Sequence, residues 1–276
     1  MKPLKMFVWV IIIVAAVFVG LSGFLYLNQR RIVFVPMRDY AATPDHAHLD
    51  YEKIWLEPEA GVRIRGWYFP ARENGSKTVM LCHGNAGNIS HRLESAHFLL
   101  ELGVNVLLFD YRGYGESNGT PSEEGVYADA EAAYRWLRDE KHVDSTDIII
   151  FGRSLGGAVA IELARREPCG GLIVESSFTS AADFGRKMFP FLPIRLLIKY
   201  HFDSVNKIGE LSCPVLVTHS PEDDLVPYQM GERLFAAAKA PKKFIALRGS
   251  HNERMYFSDQ QYIDGVRGFI FDGGVN

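Results

Sequence analysis

Cysteine is scarce in this chain. Cys82, Cys169 and Cys213 are the only three among 276 residues. An odd number at irregular spacing excludes a disulfide framework, and no C-x-x-C or zinc-ligand spacing occurs. The thiols read as small buried side chains beside strands. An excess of one charge is also missing. The formal net charge is −3, and no basic stripe follows the chain as it would to track a phosphate backbone, so nucleic acid is not an expected partner. The nine histidines are scattered, with His46 and His48 as the one close pair. Without further ligands at metal spacing they form no metal site, and no cofactor is expected. The length excludes two full domains of common size, but one sizeable α/β domain with an appendage fits, and 47% hydrophobic content supplies its core.

The appendage is at the amino terminus, where one long run carries no charge. Phe7 to Leu27 carry no charge, and as a helix this run spans ~30 Å, the thickness of a bilayer's hydrocarbon core. The run exceeds a signal-peptide core, and Asn28-Gln29-Arg30-Arg31 after it lacks a small-x-small cleavage site. We therefore expect residues 1–29 to form a single-pass membrane anchor that contacts the bilayer through residues 7–27. Trp9 and Tyr26 near its ends suit an aromatic belt. Lys2 and Lys5 on one flank balance Arg30, Arg31 and Arg38 on the other, so flanking charge assigns no side of the membrane. Residues 30–50, with Pro36 and Pro44 and no sustained periodicity, read as a juxtamembrane connector.

The catalytic domain is expected over 51–272. Val62 to Tyr68 alternates apolar and polar residues before turning aromatic, as an antiparallel strand with one wet face does. Thr78 to Cys82, Val104 to Phe109, Ile148 to Phe151, Leu172 to Val174, Val215 to Thr218 and Phe244 to Leu247 are short continuous apolar runs, the pattern of strands buried on both faces. Helical stretches separate them. Thr120-Pro121-Ser122-Glu123 reads as a capping box with proline at the first helical position, followed by Tyr127, Ala130, Tyr134 and Leu137 on one face. The alternation predicts an α/β fold with a mostly parallel sheet covered by helices on both faces. Between the Leu172 and Val215 runs lies an unusually apolar connector, Met188 to Ile198. It reads either as part of a crossover helix or as a small cap, about 178–208, lining an acyl pocket.

One stretch organises the rest. Gly152-Arg153-Ser154-Leu155-Gly156 lies between the Ile148 strand and a helix opening with Gly157-Ala158-Val159-Ala160. G-x-S-x-G in that context predicts a nucleophile elbow, a sharp turn that lifts the serine hydroxyl clear of the backbone. A serine hydroxyl needs a base to take its proton and a carboxylate to orient that base, following in the order Ser, Asp, His in this architecture. His251, after the strand ending at Leu247, supplies the base. The acid is Asp223 or Asp224, in the turn after Val215 to Thr218. Both partners leave strands at their carboxyl ends, where open α/β sheets place their sites. The oxyanion needs two donors. One is the backbone N–H of Leu155, and the other comes from His83-Gly84-Asn85-Ala86-Gly87-Asn88, with Asn85 N–H preferred and Gly84 as the fallback. His83 precedes the serine and reads as a loop-bracing residue. Arg153 has three open roles: bracing the elbow, meeting substrate or facing solvent.

The segments His83 to Asn88, Asp110-Tyr111-Arg112-Gly113-Tyr114-Gly115-Glu116-Ser117, Gly152 to Gly157 and Ser250-His251-Asn252 occur in order. Together they resemble the α/β-hydrolase superfamily, specifically its Bem46-like branch of membrane-anchored hydrolases, over roughly residues 50–270. Members carry the acid as D-x-[LIV]-[VI]-P. Asp223-Asp224-Leu225-Val226-Pro227 fits that pattern, so the resemblance selects Asp223. It also supports the anchor, and it implies an α/β-hydrolase fold and the reaction class of esterases and protein depalmitoylases. The expectation is a serine hydrolase of carboxylic ester or thioester bonds acting through an acyl-enzyme formed by Ser154, His251 and Asp223, with a small or lipid-like acyl substrate. A prolyl-oligopeptidase-type serine peptidase is the first alternative, disfavoured because the chain lacks a gating propeller domain. A non-catalytic membrane scaffold is the second, disfavoured because no triad member or elbow glycine is missing.

Overall fold

The apolar runs become strands, and period-two alternation is visible inside them. Ile148 and Ile150 join the core on one face of the sheet, while Ile149 and Phe151 join the core on the other. A strand covered on both faces requires this division. The computed structural model describes residues 3–72, 76–239, 241–253, 257 and 259–273, so Lys2 of the expected anchor flank lies outside the described residues.

In chain order, α1 (Pro3–Val33), β1 (Val35–Pro36), β2 (Glu52–Glu59), β3 (Val62–Phe69), β4 (Thr78–Cys82) and β5 (Ala86–Gly87) come first. They are followed by α2 (Leu93–Glu101), β6 (Asn105–Phe109), α3 (Glu123–Asp139), β7 (Ile148–Arg153), α4 (Leu155–Arg166) and β8 (Gly171–Glu175). The remainder is α5 (Ala181–Met188), α6 (Ile194–Leu197), α7 (Ser204–Ile208), β9 (Val215–His219), α8 (Tyr228–Ala237), β10 (Lys242–Ala246) and α9 (Gln260–Asp272). The main sheet has eight strands in the order β10-β9-β8-β7-β4-β6-β3-β2. Pairs from β10 to β6 are parallel, and β6–β3 and β3–β2 are antiparallel. Residues of α3, α4, α7 and α8 complete the core on one face, and those of α2 and α9 complete it on the other.

Several local expectations shift. The helix after Thr120 starts two residues later than the capping-box reading places it. Ser122 is the cap, its hydroxyl accepting from Gly125 N–H at 3.1 Å. Pro121 lies outside the helix, so close to Gly113 that a Cβ there would meet the proline ring. β2 was not anticipated as a strand, although Ile54 and Leu56 enter the core while Lys53 and Trp55 face out.

The connector, residues 30–50, is tied down along its length. The apolar helix runs on to Val33, and the residues that follow are stitched to the domain. Val35 and Pro36 pair in parallel with Ala86 and Gly87. Asn88 Nδ2 donates to the carbonyls of Met37 (3.0 Å) and Asp39 (2.8 Å), and Arg38 donates to Ser117 O at 2.5 Å. A segment with little regular structure of its own must find partners for its backbone groups elsewhere, and Val35, Met37 and Asp39 find them on the loop after β4. His46, the metal candidate set aside above, is spent locally as an acceptor for Thr43 N–H at 3.1 Å.

Between β8 and β9 the chain forms three short helices instead of one crossover helix. No residue of α5 is buried, so α5 and α6 stand off the sheet, and only α7 sinks Ile208 into the core.

Candidate active site

The sharp turn between β7 and α4 puts Ser154 in a conformation that few residues adopt, with φ 54° and ψ −120°. A left-handed φ at a non-glycine residue costs of order 1–3 kcal/mol and persists only where the surroundings impose it. Here Ser154 N–H donates to Glu175 O at 2.9 Å and Ser154 O accepts from the Ser177 hydroxyl at 2.8 Å. The two flanking glycines follow from the same crowding. A Cβ on Gly156 would collide with the Cys82 carbonyl, and one on Gly152 would collide with the Gly156 carbonyl.

Two further strand ends converge on this turn. His251 Nε2 lies 3.2 Å from Ser154 Oγ, and His251 Nδ1 lies 2.8 Å from Asp223 Oδ2. Of the two competing acids, the structure puts Asp223 on the imidazole and Asp224 on the backbone of the same residue, accepting His251 N–H at 3.0 Å. Glu222 in turn accepts Gly249 N–H at 2.9 Å, so three consecutive carboxylates hold the loop after β10. Asp223 Oδ1 also accepts the amides of Leu225 (3.0 Å) and Val226 (2.7 Å). Burial alone would raise the Asp223 pKa, but contacts from His219 and His251 and the Val226 N–H outweigh it and hold the carboxyl well below the ordinary carboxylate range.

Two residues at this edge take roles in the structure: Arg153, whose role the sequence left open, and His219, which the sequence reading did not single out. Arg153 braces the histidine loop: its guanidinium donates to His251 O at 2.5 Å and lies 3.4 Å from Glu175, whose carboxylate accepts the Tyr262 hydroxyl at 2.7 Å. His219, at the end of β9, is fully buried with Nε2 2.9 Å from Val226 O and 3.4 Å from Asp223 Oδ2. Facing two acceptors, Nε2 carries the proton in this network. Its place as the last residue of a buried strand next to an acidic turn was the only signal in the sequence.

The loop after β4 passes directly under the elbow. A Cβ on Gly84 would sit 3.6 Å from the Ser154 side chain. Asn85 O is held by Val35 N–H at 3.0 Å and the Tyr114 hydroxyl at 2.7 Å, while Asn85, Ser154 and Leu155 border one cavity. Leu155 is the first residue of α4, one of the amides that a helix leaves without an internal acceptor. His83 is buried behind this loop, with Nδ1 2.7 Å from Gly84 O and its ring against Tyr111 and Tyr114. Burial pushes its pKa down to about 3, so it is neutral at pH 7 and braces the loop. Asp110, 3.7 Å from His83 Nε2, is pushed up to about 7 by the same burial.

The cavity beside Ser154 has a volume of about 330 Å³ and is lined almost wholly by apolar side chains, among them Phe178, Phe184, Met188, Phe189 and Leu197 of the cap region. Asn85, Ser154 and Gln29 are the polar exceptions. Among the described residues no group of histidine, cysteine and carboxylate side chains is arranged to hold a metal ion. The geometry suits attack by Ser154 on a carbonyl whose substituent is apolar.

Comparison with known proteins agrees with this architecture. A family model described as serine aminopeptidase, S33, matches residues 73–198. The α/β hydrolase domain-containing protein WAV2 of Arabidopsis thaliana is 34% identical over 258 residues, covering 82% of this chain and 83% of its own. Protein bem46 of Schizosaccharomyces pombe is 31% identical over 271 residues, 92% of this chain and 89% of its own. Among solved structures, an esterase of Pyrococcus furiosus superposes with a TM-score of 0.72 at 21% identity over 88% of this chain and 99% of the esterase, a likeness of fold.

Proposed function

Because the chain belongs to the α/β-hydrolase superfamily, in its Bem46-like branch, and is thus a hydrolase of the esterase and peptidase type, we propose that it is a membrane-anchored serine hydrolase of carboxylic ester or thioester bonds. The reading rests on one observation: the Asp223–His251–Ser154 chain of contacts, 2.8 and 3.2 Å long, ends beside an apolar cavity.

In the reaction Ser154 Oγ bonds to the carbonyl carbon of the substrate as His251 Nε2 takes its proton. The carbonyl oxygen becomes an oxyanion facing the N–H groups of Leu155 and Asn85. Collapse of this adduct breaks the bond to the alcohol or thiol, which leaves with the proton from His251, and Ser154 keeps the acyl group. Water, deprotonated by His251, then attacks the acyl-enzyme, and Ser154 regains its proton as the carboxylic acid departs. Asp223 stays ionised throughout and holds His251 with Nε2 toward the serine. A Ser154→Ala substitution is expected to abolish labelling by a fluorophosphonate probe. Equal labelling of wild type and variant would defeat the reading.

The family model's description favours a peptidase as the second reading. An aminopeptidase must pair the ammonium of its substrate, yet among the described residues no carboxylate lines the cavity, and an unpaired buried cation is costly. Turnover of 4-methylumbelliferyl esters against that of amino-acyl anilides separates the two, and activity confined to anilides reverses the order. The anchor reading is supported by α1, a 31-residue helix whose large apolar side chains from Phe7 to Val19 are exposed, and which alone among the described residues is long and apolar enough to cross a bilayer.

A further inference from the structure

The apolar helix changes character along its length. Up to Leu21 every described side chain is exposed, whereas Leu25, Gln29 and Val33 turn inward. Their spacing of four puts them on one face of the helix. Leu25 forms a small separate core with Leu192 and Ile194, against which Phe189 and Ile198 pack. The Gln29 amide ties the helix to the cap at both its atoms: Nε2 donates to Leu197 O at 2.6 Å and Oε1 accepts Lys199 N–H at 2.7 Å. Lys199 Nζ lies 3.9 Å from the centre of the Tyr26 ring. As a result Leu25, Gln29, Ile32 and Val33 line the same cavity as Ser154.

Resting on the reading of Ser154 as an acyl-transfer nucleophile and of α1 as an anchor, the geometry points to the last three turns of α1 as one wall of the acyl-binding site, and to a bilayer-resident long-chain acyl amphiphile as the substrate class. One end of α1 occupies the hydrocarbon and the other borders the serine. An acyl chain can then pass from lipid to cavity along one apolar surface, without the cost of exposing its length to water. The cap is composed for the same interface. Phe191 and Leu196 are 90% and 85% exposed, and Leu196 borders a groove of the cap with Arg186, Lys187 and Arg195, Asp183 being its one carboxylate among the described residues, the mix of apolar tips and cations that settles at a headgroup layer.

The test uses the full-length protein in phosphatidylcholine nanodiscs with 4-methylumbelliferyl palmitate and butyrate. Leu25→Trp fills the cavity and is expected to lower the palmitate-to-butyrate ratio of kcat/KM by about tenfold or more. Gln29→Ala, which releases the helix from the cap without adding bulk, is expected to lower the same ratio, so the test survives if Leu25→Trp does not fold. Val14→Trp, on the exposed part of the helix, should keep the wild-type ratio. Palmitate carried in the same discs as the enzyme should be cleaved faster, in the initial rate, than palmitate supplied in separate discs. Unchanged ratios in both Leu25→Trp and Gln29→Ala overturn the wall, and equal rates from the two disc populations overturn delivery from the bilayer. Fluorophosphonate labelling of the same samples tells the failures apart. Labelled wild type with flat ratios defeats this inference alone, and unlabelled wild type defeats the hydrolase reading and this inference with it.

Discussion

The two sides of the cavity are built in opposite ways. On the Ser154 side, the ends of β7, β9 and β10 are joined by directional contacts: Asp223 to the His251 ring, Asp224 to its amide, Arg153 to its carbonyl and Glu222 to Gly249 N–H. On the far side, α5, α6 and α1 meet mainly through apolar side chains, with the Gln29 amide as a cross-tie. Hydrogen bonds fix angles, which a proton transfer needs. Apolar contact fixes volume, which an acyl chain needs. Under the proposed function, the polar side performs the step and the apolar side selects what undergoes it.

The hardest blow to the polar side alone is Asp223→Asn. The amide keeps the size of the carboxylate and can still accept from Leu225 and Val226, but it neither favours the imidazole tautomer with Nε2 free to take a proton nor stabilises the imidazolium. We expect kcat to fall by about 10⁴-fold, with the preference for palmitate over butyrate unchanged because no lining residue is touched. A changed chain-length preference would mean that the two sides are not separable. Asp224→Ala is the milder version. It removes the acceptor for His251 N–H while Glu222 and Arg153 still hold the loop, so kcat should fall by about 10–100-fold, the cost of a histidine displaced by a fraction of an ångström. If steady-state kinetics give the two variants equal losses, the acidic turn works as a single unit and the division of labour between adjacent aspartates is wrong.

The same contrast explains what could be read before the structure. The elbow, the order Ser, Asp, His and the parallel sheet are carried by contiguous residues whose spacing reflects local geometry, as Gly152 and Gly156 do where strand and helix backbones nearly touch. Asp223 and Asp224 were indistinguishable on the residues alone, because neighbours in a turn point in different directions and both reach the same histidine. Arg153 resolved only when its partner, 98 residues away, came into view. The α1 wall was illegible for a stronger version of that reason. Gln29 meets Leu197 across 168 residues, and an apolar run long enough for a bilayer hides a docking stripe of spacing four within it. How the connector docks on the domain is not legible in the sequence, because β1 is two residues long, too short for any periodicity to register.

The smallest effect expected is on stability against acid, and it separates the two sides by a different measurement. The folded-state pKa of Asp223 lies below its ordinary value, because the contacts from His219, His251 and Val226 N–H outweigh the burial that opposes them. The folded protein therefore binds that proton less tightly than the unfolded chain does. The carboxylate contributes stability above the unfolded value of ~3.9, and this is lost as the pH falls below it toward the folded value. Denaturant unfolding of wild type and Asp223→Asn across a pH series should give a difference that is steady from neutral pH to about 5 and shrinks below about 4. Among the described residues no acidic or basic side chain lines the cavity on the apolar side. The stability difference between wild type and Leu25→Trp should accordingly stay flat over the same range. Parallel acid limbs in the two variants would show that protonation reaches the cap as well, and that the two sides share one electrostatic network.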